Sequence, residues 1–150
     1  MADSNNDISV LNSLIATTLD SVDGYREAAA DIGNSRFGEI FTSRAQERRA
    51  VVSDLQAQVR SLGGEPEDDG SVLAGAHRVF VDLKAKITGQ DDKAIINEVE
   101  RGEDHIKAKF ESALADSDLS AATLAVIQQA SHSVREGHDQ MSALKHSMEA

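Results

Sequence analysis

The sequence predicts an all-α protein, a bundle of four long helices in a single domain that spans residues 1–150. In four long stretches the apolar residues recur at steps of three and four, which places them on one face of a helix. Nowhere do they alternate with the period of two that marks a half-buried strand. The composition agrees, because 40% of the 150 residues are hydrophobic and only 3% are aromatic. Such a chain suits a core of aliphatic side chains between helices.

The first two helices are predicted to form an antiparallel hairpin. One runs from about Asp7 to Ile32 and the next from Ser35 to Leu62, and a connection this short joins antiparallel neighbours. The inward face of the first helix consists of Leu11, Ile15, Thr18, Val22, Tyr25, Ala29 and Ile32. The inward face of the second consists of Phe37, Phe41, Arg44, Arg48, Val52, Leu55, Val59 and Leu62.

A linker at residues 63–70 follows, with the sequence GGEPEDDG, the strongest helix-breaking stretch in the chain. A shorter linking helix, about 71–88, is predicted after it. At 1.5 Å per residue this helix is about 25 Å long, enough to carry the chain from one end of a bundle to the other.

The last two long helices are predicted to form a second antiparallel hairpin. The third runs from Asp91 to about Ala115, and the fourth runs from about Leu119 or Ser120 nearly to the end of the sequence. The third helix turns Ile95, Val99, Gly102, Glu103, Ile106, Phe110 and Ala113 inward, and the glycine is expected to mark a close approach of two helices. The fourth turns Ile127, Ala130, Ser131, Val134, His138, Met141 and Lys145 inward.

Charge and cysteine content exclude several classes of function. With 15 Lys and Arg against 26 Asp and Glu, the net charge is −11. The average surface would repel phosphate backbones, so no nucleic-acid partner is expected. No apolar run approaches the roughly 20 residues of a membrane span, so no membrane partner is expected either. The absence of cysteine and of a secretory leader pattern favours a cytoplasmic location.

Two hairpins joined by a chain-reversing connection match the ferritin-like bundle better than a simple up-and-down bundle. Such bundles often hold two iron ions through a Glu on each of two helices and a Glu-x-x-His on each of the others. This motif is absent here. The residues three before the five histidines are Ala74, Gly102, Gln129, Arg135 and Ala143.

Polar residues on the inward faces leave two hypotheses open. One is a buried, hydrogen-bonded polar layer formed by Tyr25, Arg48, Glu103 and His138, in which Arg48 pairs with the Glu103 carboxylate. The other is a single iron, zinc or manganese ion held by Glu103, His138 and Glu47, since imidazole and carboxylate ligands suit these metals. For Arg48 alone, a stem on the core with the guanidinium in water is a third interpretation. No catalytic residue is predicted.

Four segments carry a resemblance to a known family: DSVDGYREAA at 20–29, VRSLGGEP at 59–66, GSVLAGAHRVFVDLKA at 70–85 and ERGED at 100–104. Together they resemble an uncharacterised bacterial family of four-helix-bundle proteins that is grouped with the ferritin-like superfamily. The residues that match its pattern are Asp20, Tyr25, Glu47, Arg48, Gly63, Pro66, His77, Arg78, Glu100, Gly102, Glu103 and His138. The resemblance implies the fold but not an activity.

The sequence departs from ferritin-like enzymes at Thr18, Ala50 and Arg135, where their metal motif would stand. We therefore expect a non-enzymatic protein with a degenerate di-iron site, acting through a protein partner or as a homodimer. No cofactor is assigned, and iron or another divalent metal stays open. The alternative is a metal-binding or redox protein that uses Glu103 and His138.

Overall fold

The computed structural model describes residues 4–68, 92–116 and 118–149. Four helices account for most of these residues: α1 (Ser4–Asp31), α2 (Ser35–Ser61), α3 (Asp92–Leu114) and α4 (Ala121–Glu149). The predicted all-α class and the four long helices are confirmed, and the described residues contain no strand. The predicted linking helix at 71–88 and the end of the linker, 69–70, lie outside the described residues. Within the described part of the chain, none of the helices has the length and hydropathy to span a bilayer.

The helix ends differ from the predicted ones by at most three residues. Helix α1 already begins at Ser4, before the predicted Asp7. Asn34 caps α2, because its side-chain oxygen accepts hydrogen bonds from the backbone N–H groups of Arg36 (2.9 Å) and Phe37 (3.4 Å). An N-cap side chain satisfies amides that have no partner within the helix.

Hydrogen bonds between helix ends establish the direction of each helix. At one end of the bundle the backbone N–H groups of Gly33 and Asn34 donate to the Asp92 carboxylate, so the α1–α2 turn meets the start of α3. At the other end the Asp7 carboxylate accepts from Ser120, just before α4. Helices α1 and α4 therefore run in one direction, and α2 and α3 run in the other. It follows that α2 ends and α3 begins at opposite ends of the bundle.

Helix α1 packs on α2 and α3, and α4 packs on the same two helices, so α2 and α3 lie diagonally across the bundle. The buried apolar residues form two clusters along the axis. The cluster at the Asp7 end, called here the large cluster, consists of Leu11, Leu14, Ile15, Val51, Val52, Leu55, Val59, Ile106, Phe110, Ala113, Ile127, Ala130 and Val134. The cluster at the Asn34 end, the small cluster, consists of Tyr25, Ala28, Ile32, Phe41, Ala45, Ile95, Ile96, Val99 and Met141.

Candidate functional site

A buried ion pair crosses the bundle between the two clusters. Arg48 of α2 has 0% of its surface exposed and Glu103 of α3 has 1%. Nη2 of Arg48 donates to Oε2 of Glu103 over 2.7 Å. Charged side chains are almost never buried to this degree unless they are paired, because each loses its hydration. The guanidinium therefore lies in the core and does not reach water.

Tyr25 of α1 is the second hydrogen-bond donor to the Glu103 carboxylate. Its hydroxyl donates to Oε1 of Glu103 over 2.7 Å, and its ring lies 5.7 Å from the guanidinium carbon of Arg48. Burial and the negative charge of Glu103 raise the pKa of Tyr25 well above its usual value, although the positive charge of Arg48 opposes the shift. This pKa shift favours the neutral phenol, which donates to the carboxylate, so each oxygen of Glu103 accepts one hydrogen bond.

The remaining nitrogens of Arg48 connect the pair to the other helices. Nη1 donates to the hydroxyl of Ser21 on α1 over 2.8 Å, and Nη2 also approaches the backbone oxygen of Val134 on α4, at 3.5 Å. The Nε atom is buried and has no hydrogen-bond partner. We call Ser21, Tyr25, Arg48 and Glu103 the polar layer. With the carbonyl of Val134, all four helices meet in it.

Gly137 of α4 makes room for the guanidinium. A Cβ atom at this position would overlap with Nη2 of Arg48 and would lie 3.2 Å from both Cδ of Arg44 and Oε2 of Glu103. The prediction that Gly102 marks the close approach of helices is therefore wrong, since Gly102 is exposed and a Cβ there would have nothing within 4 Å. The glycine that faces the core is Gly137 of α4, and what it admits is the Arg48 side chain.

The structure does not bring His138 into the polar layer. Its ring nitrogens lie 2.7 Å from Oδ1 of Asp104 and 3.4 Å from Oδ1 of Asp139, and 17% of the side chain is exposed. Because Gly137 faces the core, the next residue is rotated by about 100° around α4 and points along the α3–α4 edge. His138 thus pairs with the residue that follows Glu103, not with Glu103 itself.

Glu47 belongs to a separate network on the α2–α4 surface. Its Oε1 accepts from Nη1 of Arg44, at 2.7 Å, and from the hydroxyl of Ser133. Arg44 also donates through Nη2 to the side-chain oxygen of Gln140, over 2.6 Å. The side chain of Glu47 is 39% exposed. The three predicted metal ligands therefore have different partners, and the described residues contain no group of three or more His, Asp or Glu side chains that could hold a metal ion.

Sequence reasoning missed Ser21, Gly137 and the Arg44–Gln140 contact. A signal existed for Gly137, because the steps Val134–Gly137–Met141 fit a helical face as well as the steps through His138 do. Nothing in the periodicity separates these two assignments. No signal in the sequence indicates the contact at the surface.

These features define the class of protein as an all-α four-helix bundle with a charge-balanced, hydrogen-bonded core. Residues 6–116 match the family described as a domain of unknown function, DUF2383, and the chain belongs to this family. The matched region includes Tyr25, Arg48 and Glu103 but ends before α4, which carries Gly137. A search of curated proteins finds no match.

Proposed function

We propose that the protein is a ferritin-like bundle with a degenerate metal site, and that it acts without catalysis through a protein partner or a second copy of itself. The helix directions support the ferritin-like topology. Two antiparallel hairpins are joined from the end of α2 to the start of α3, at the opposite end of the bundle, and ferritin-like folds have one such long crossover.

The observation that carries the proposal is the occupancy of the Glu103 carboxylate. One of its oxygens accepts from Tyr25 and the other from Arg48, so a metal ion would compete with a donor at each oxygen. The guanidinium already balances the negative charge, and it would repel a second cation at this position. The same observation weighs against the metal-binding or redox alternative, which requires Glu103 and His138 to act together.

The surface is therefore where we expect function to reside. Two open grooves lie along the outer side of α2. One, of about 460 Å³, is lined by small side chains such as Ala29, Gly38 and Thr42. The other, of about 280 Å³, lies between Ile40 and Gln140. Both offer concave surface to a helix or loop of another protein.

Metal analysis tests the proposal most directly. Protein purified without a histidine tag is analysed for metals before and after anaerobic addition of iron, and in parallel with zinc and manganese. We expect no stoichiometric metal in the natural protein. About one ion per chain, lost in Glu103→Ala, would establish the metal-binding alternative instead.

A matched variant sharpens this experiment. Arg48→Met removes the internal cation and leaves the Glu103 carboxylate without its counter-ion. If Arg48 excludes metal, this variant is the one that gains affinity for a divalent cation. Exposed Arg49→Met serves as the control with the same change of charge on the same helix.

Sedimentation velocity over a wide range of protein concentrations tests self-association. If the protein acts through a second copy of itself, we expect a dimer whose share grows with concentration, since dimers are the commonest homo-oligomers. A chain that stays monomeric throughout would eliminate the second copy and restrict the proposal to a different protein partner.

A further inference from the structure

The polar layer differs from its surroundings in how closely it constrains helix position. On either side of it the core is mainly aliphatic, with Val, Leu, Ile and Ala from all four helices in the large cluster. Apolar cores accept many rearrangements if volume and pattern are kept. The clusters alone therefore select poorly between packings in which one helix has moved along its axis by a turn.

The ion pair does select between such packings. One turn from Glu103, on the same face of α3, are Val99 and Ile106, both buried. If α3 moved by one turn relative to α2, one of these side chains would face Arg48. Two buried charges would then lack a partner, and removing one partner of a buried pair is strongly destabilising.

Gly137 constrains α4 in the same way. The residues one turn away on its inward face are Val134 and Met141, which are also buried. Even the Cβ of an alanine at position 137 would overlap with the Arg48 guanidinium. A one-turn displacement of α4 would place a much larger side chain there, so the guanidinium fits only in the observed register.

We infer that the polar layer is a register device: it makes the four helices adopt one axial alignment, by making every displaced alignment leave charges unpaired or atoms overlapping. A single buried polar residue has this role in some coiled coils, where it specifies register at a cost in stability. The inference goes beyond the proposed function, because it holds for any partner that the surface binds.

The test replaces the layer by apolar side chains of similar size and measures the alignment directly. The triple variant Arg48→Met, Glu103→Leu, Tyr25→Phe removes both charges and the phenol hydroxyl together, so neither buried charge is left unpaired. Only the half-buried Ser21 hydroxyl of the layer remains, without its hydrogen bond from Arg48. The natural sequence has no cysteine. Two spin labels can therefore be attached at Ala57→Cys on α2 and Lys93→Cys on α3, both exposed positions.

These two positions lie towards opposite ends of the bundle, so the vector between the labels runs mostly along its axis. A displacement of one turn changes the distance between them by about 5 Å. With the natural layer we expect one narrow distance distribution by pulsed electron paramagnetic resonance. In the triple variant we expect helical content to be retained and the distribution to broaden or to split by about one turn.

A matched control changes an ion pair at the surface of α3. The substitutions Arg101→Met and Glu98→Leu remove an i,i+3 pair in which Arg101 is 77% exposed, and they should leave the distribution narrow. A triple variant with the same narrow distribution would overturn the inference. So would a triple variant that loses its helical circular dichroism, because the layer would then be needed for stability and not for alignment.

Discussion

The two core clusters are built differently. In the large cluster each helix contributes several apolar residues, and α4 supplies Ile127, Ala130 and Val134. In the small cluster α4 contributes Met141 alone among the buried members, with Leu144 partly buried against it. Two of the buried side chains at that end are aromatic, Tyr25 and Phe41, with ring centroids 5.9 Å apart. Apolar side chains thus join all four helices at both ends, but α4 contributes much less of them to the small cluster.

At the small-cluster end α4 contributes little apolar surface, and polar contacts there help to attach it to the other helices. Gln140 accepts from Arg44, His138 pairs with Asp104 and Lys145 pairs with Glu100 at 3.4 Å. All three contacts lie at the margin of the bundle, where an ion pair contributes about 0–1 kcal/mol. The last turns of α4 are therefore held less firmly than its first turns, and the polar layer lies at the boundary between these two parts of the helix.

The largest effect is expected at this boundary. Glu103→Leu leaves the Arg48 charge buried without a partner and should lower the free energy of unfolding by about 3–5 kcal/mol. Changing both residues, Arg48→Met and Glu103→Leu, should recover much of that loss. Urea denaturation measures both. Glu111→Leu, at an exposed position of α3, is the control, and equal damage in the single and double variants would contradict a coupling between the two charges.

The next effect compares the clusters themselves. Phe110 and Phe41 are both fully buried, one in each cluster. Removing a buried Phe side chain typically lowers stability by about 3–5 kcal/mol, depending on how well the site can collapse. We expect Phe110→Ala to fall at the upper end of this range and Phe41→Ala at the lower end, because the small cluster has fewer fixed neighbours from α4. Chemical denaturation measures the free energy of unfolding of the two variants. A larger loss of stability for Phe41→Ala than for Phe110→Ala would contradict this expectation.

A smaller effect, with a control of opposite sign, concerns the glycines. Gly137→Ala places a methyl group into the Arg48 guanidinium, and overpacking of this kind costs about 1–3 kcal/mol. Gly102→Ala meets nothing within 4 Å on an exposed helix surface and should stabilise the protein by about 1 kcal/mol through helix propensity. Thermal melts show whether each substitution raises or lowers the melting temperature. Stabilisation by Gly137→Ala would show that the guanidinium can move away.

The same pair of glycines shows what the sequence could and could not predict. Periodicity identified the four helices because long amphipathic stretches repeat the same signal many times. It singled out Arg48 and Glu103 because charges interrupt an apolar face, and the structure places these two in contact. It could not choose between neighbouring residues, since Val99–Gly102–Ile106 and Val99–Glu103–Ile106 are both helical steps.

The same ambiguity affects α4, where Gly137 and His138 are equally compatible with the face. A rotation of about 100° separates adjacent residues, and only packing against the other helices decides which of them points inward. The prediction from the sequence favoured side chains that can bind a metal or form hydrogen bonds, and therefore assigned His138 to the layer. The residue without a side chain proved to be the one that faces the guanidinium.

The smallest effect concerns the far end of the large cluster, where Asp7 joins α1 to the start of α4. Asp7 is 1% exposed, and its carboxylate accepts from the backbone N–H of Ser120 (3.2 Å) and from the Ser120 hydroxyl (2.6 Å). Burial alone would raise the pKa of Asp7, but hydrogen bonds from Ser120 and Thr123 outweigh it and hold the pKa below its ordinary value. The ionised form is therefore the one that the folded state favours.

The sign of the pH dependence follows from this shift. A carboxyl group with a lowered pKa in the folded state stabilises the protein above its unfolded-state pKa of about 3.9, and the contribution is lost as the pH falls through the folded-state pKa. Asp7→Asn should thus lower stability by about 1 kcal/mol at neutral pH, because the hydrogen bonds from Ser120 lose their charged acceptor, and by less in acid. Urea denaturation between pH 7 and pH 3 measures the difference. Asp23→Asn, at an exposed position of the same helix, is the control. If Asp7→Asn and the natural protein differed in stability by the same amount at every pH, the charge of Asp7 would not hold the two helix ends together.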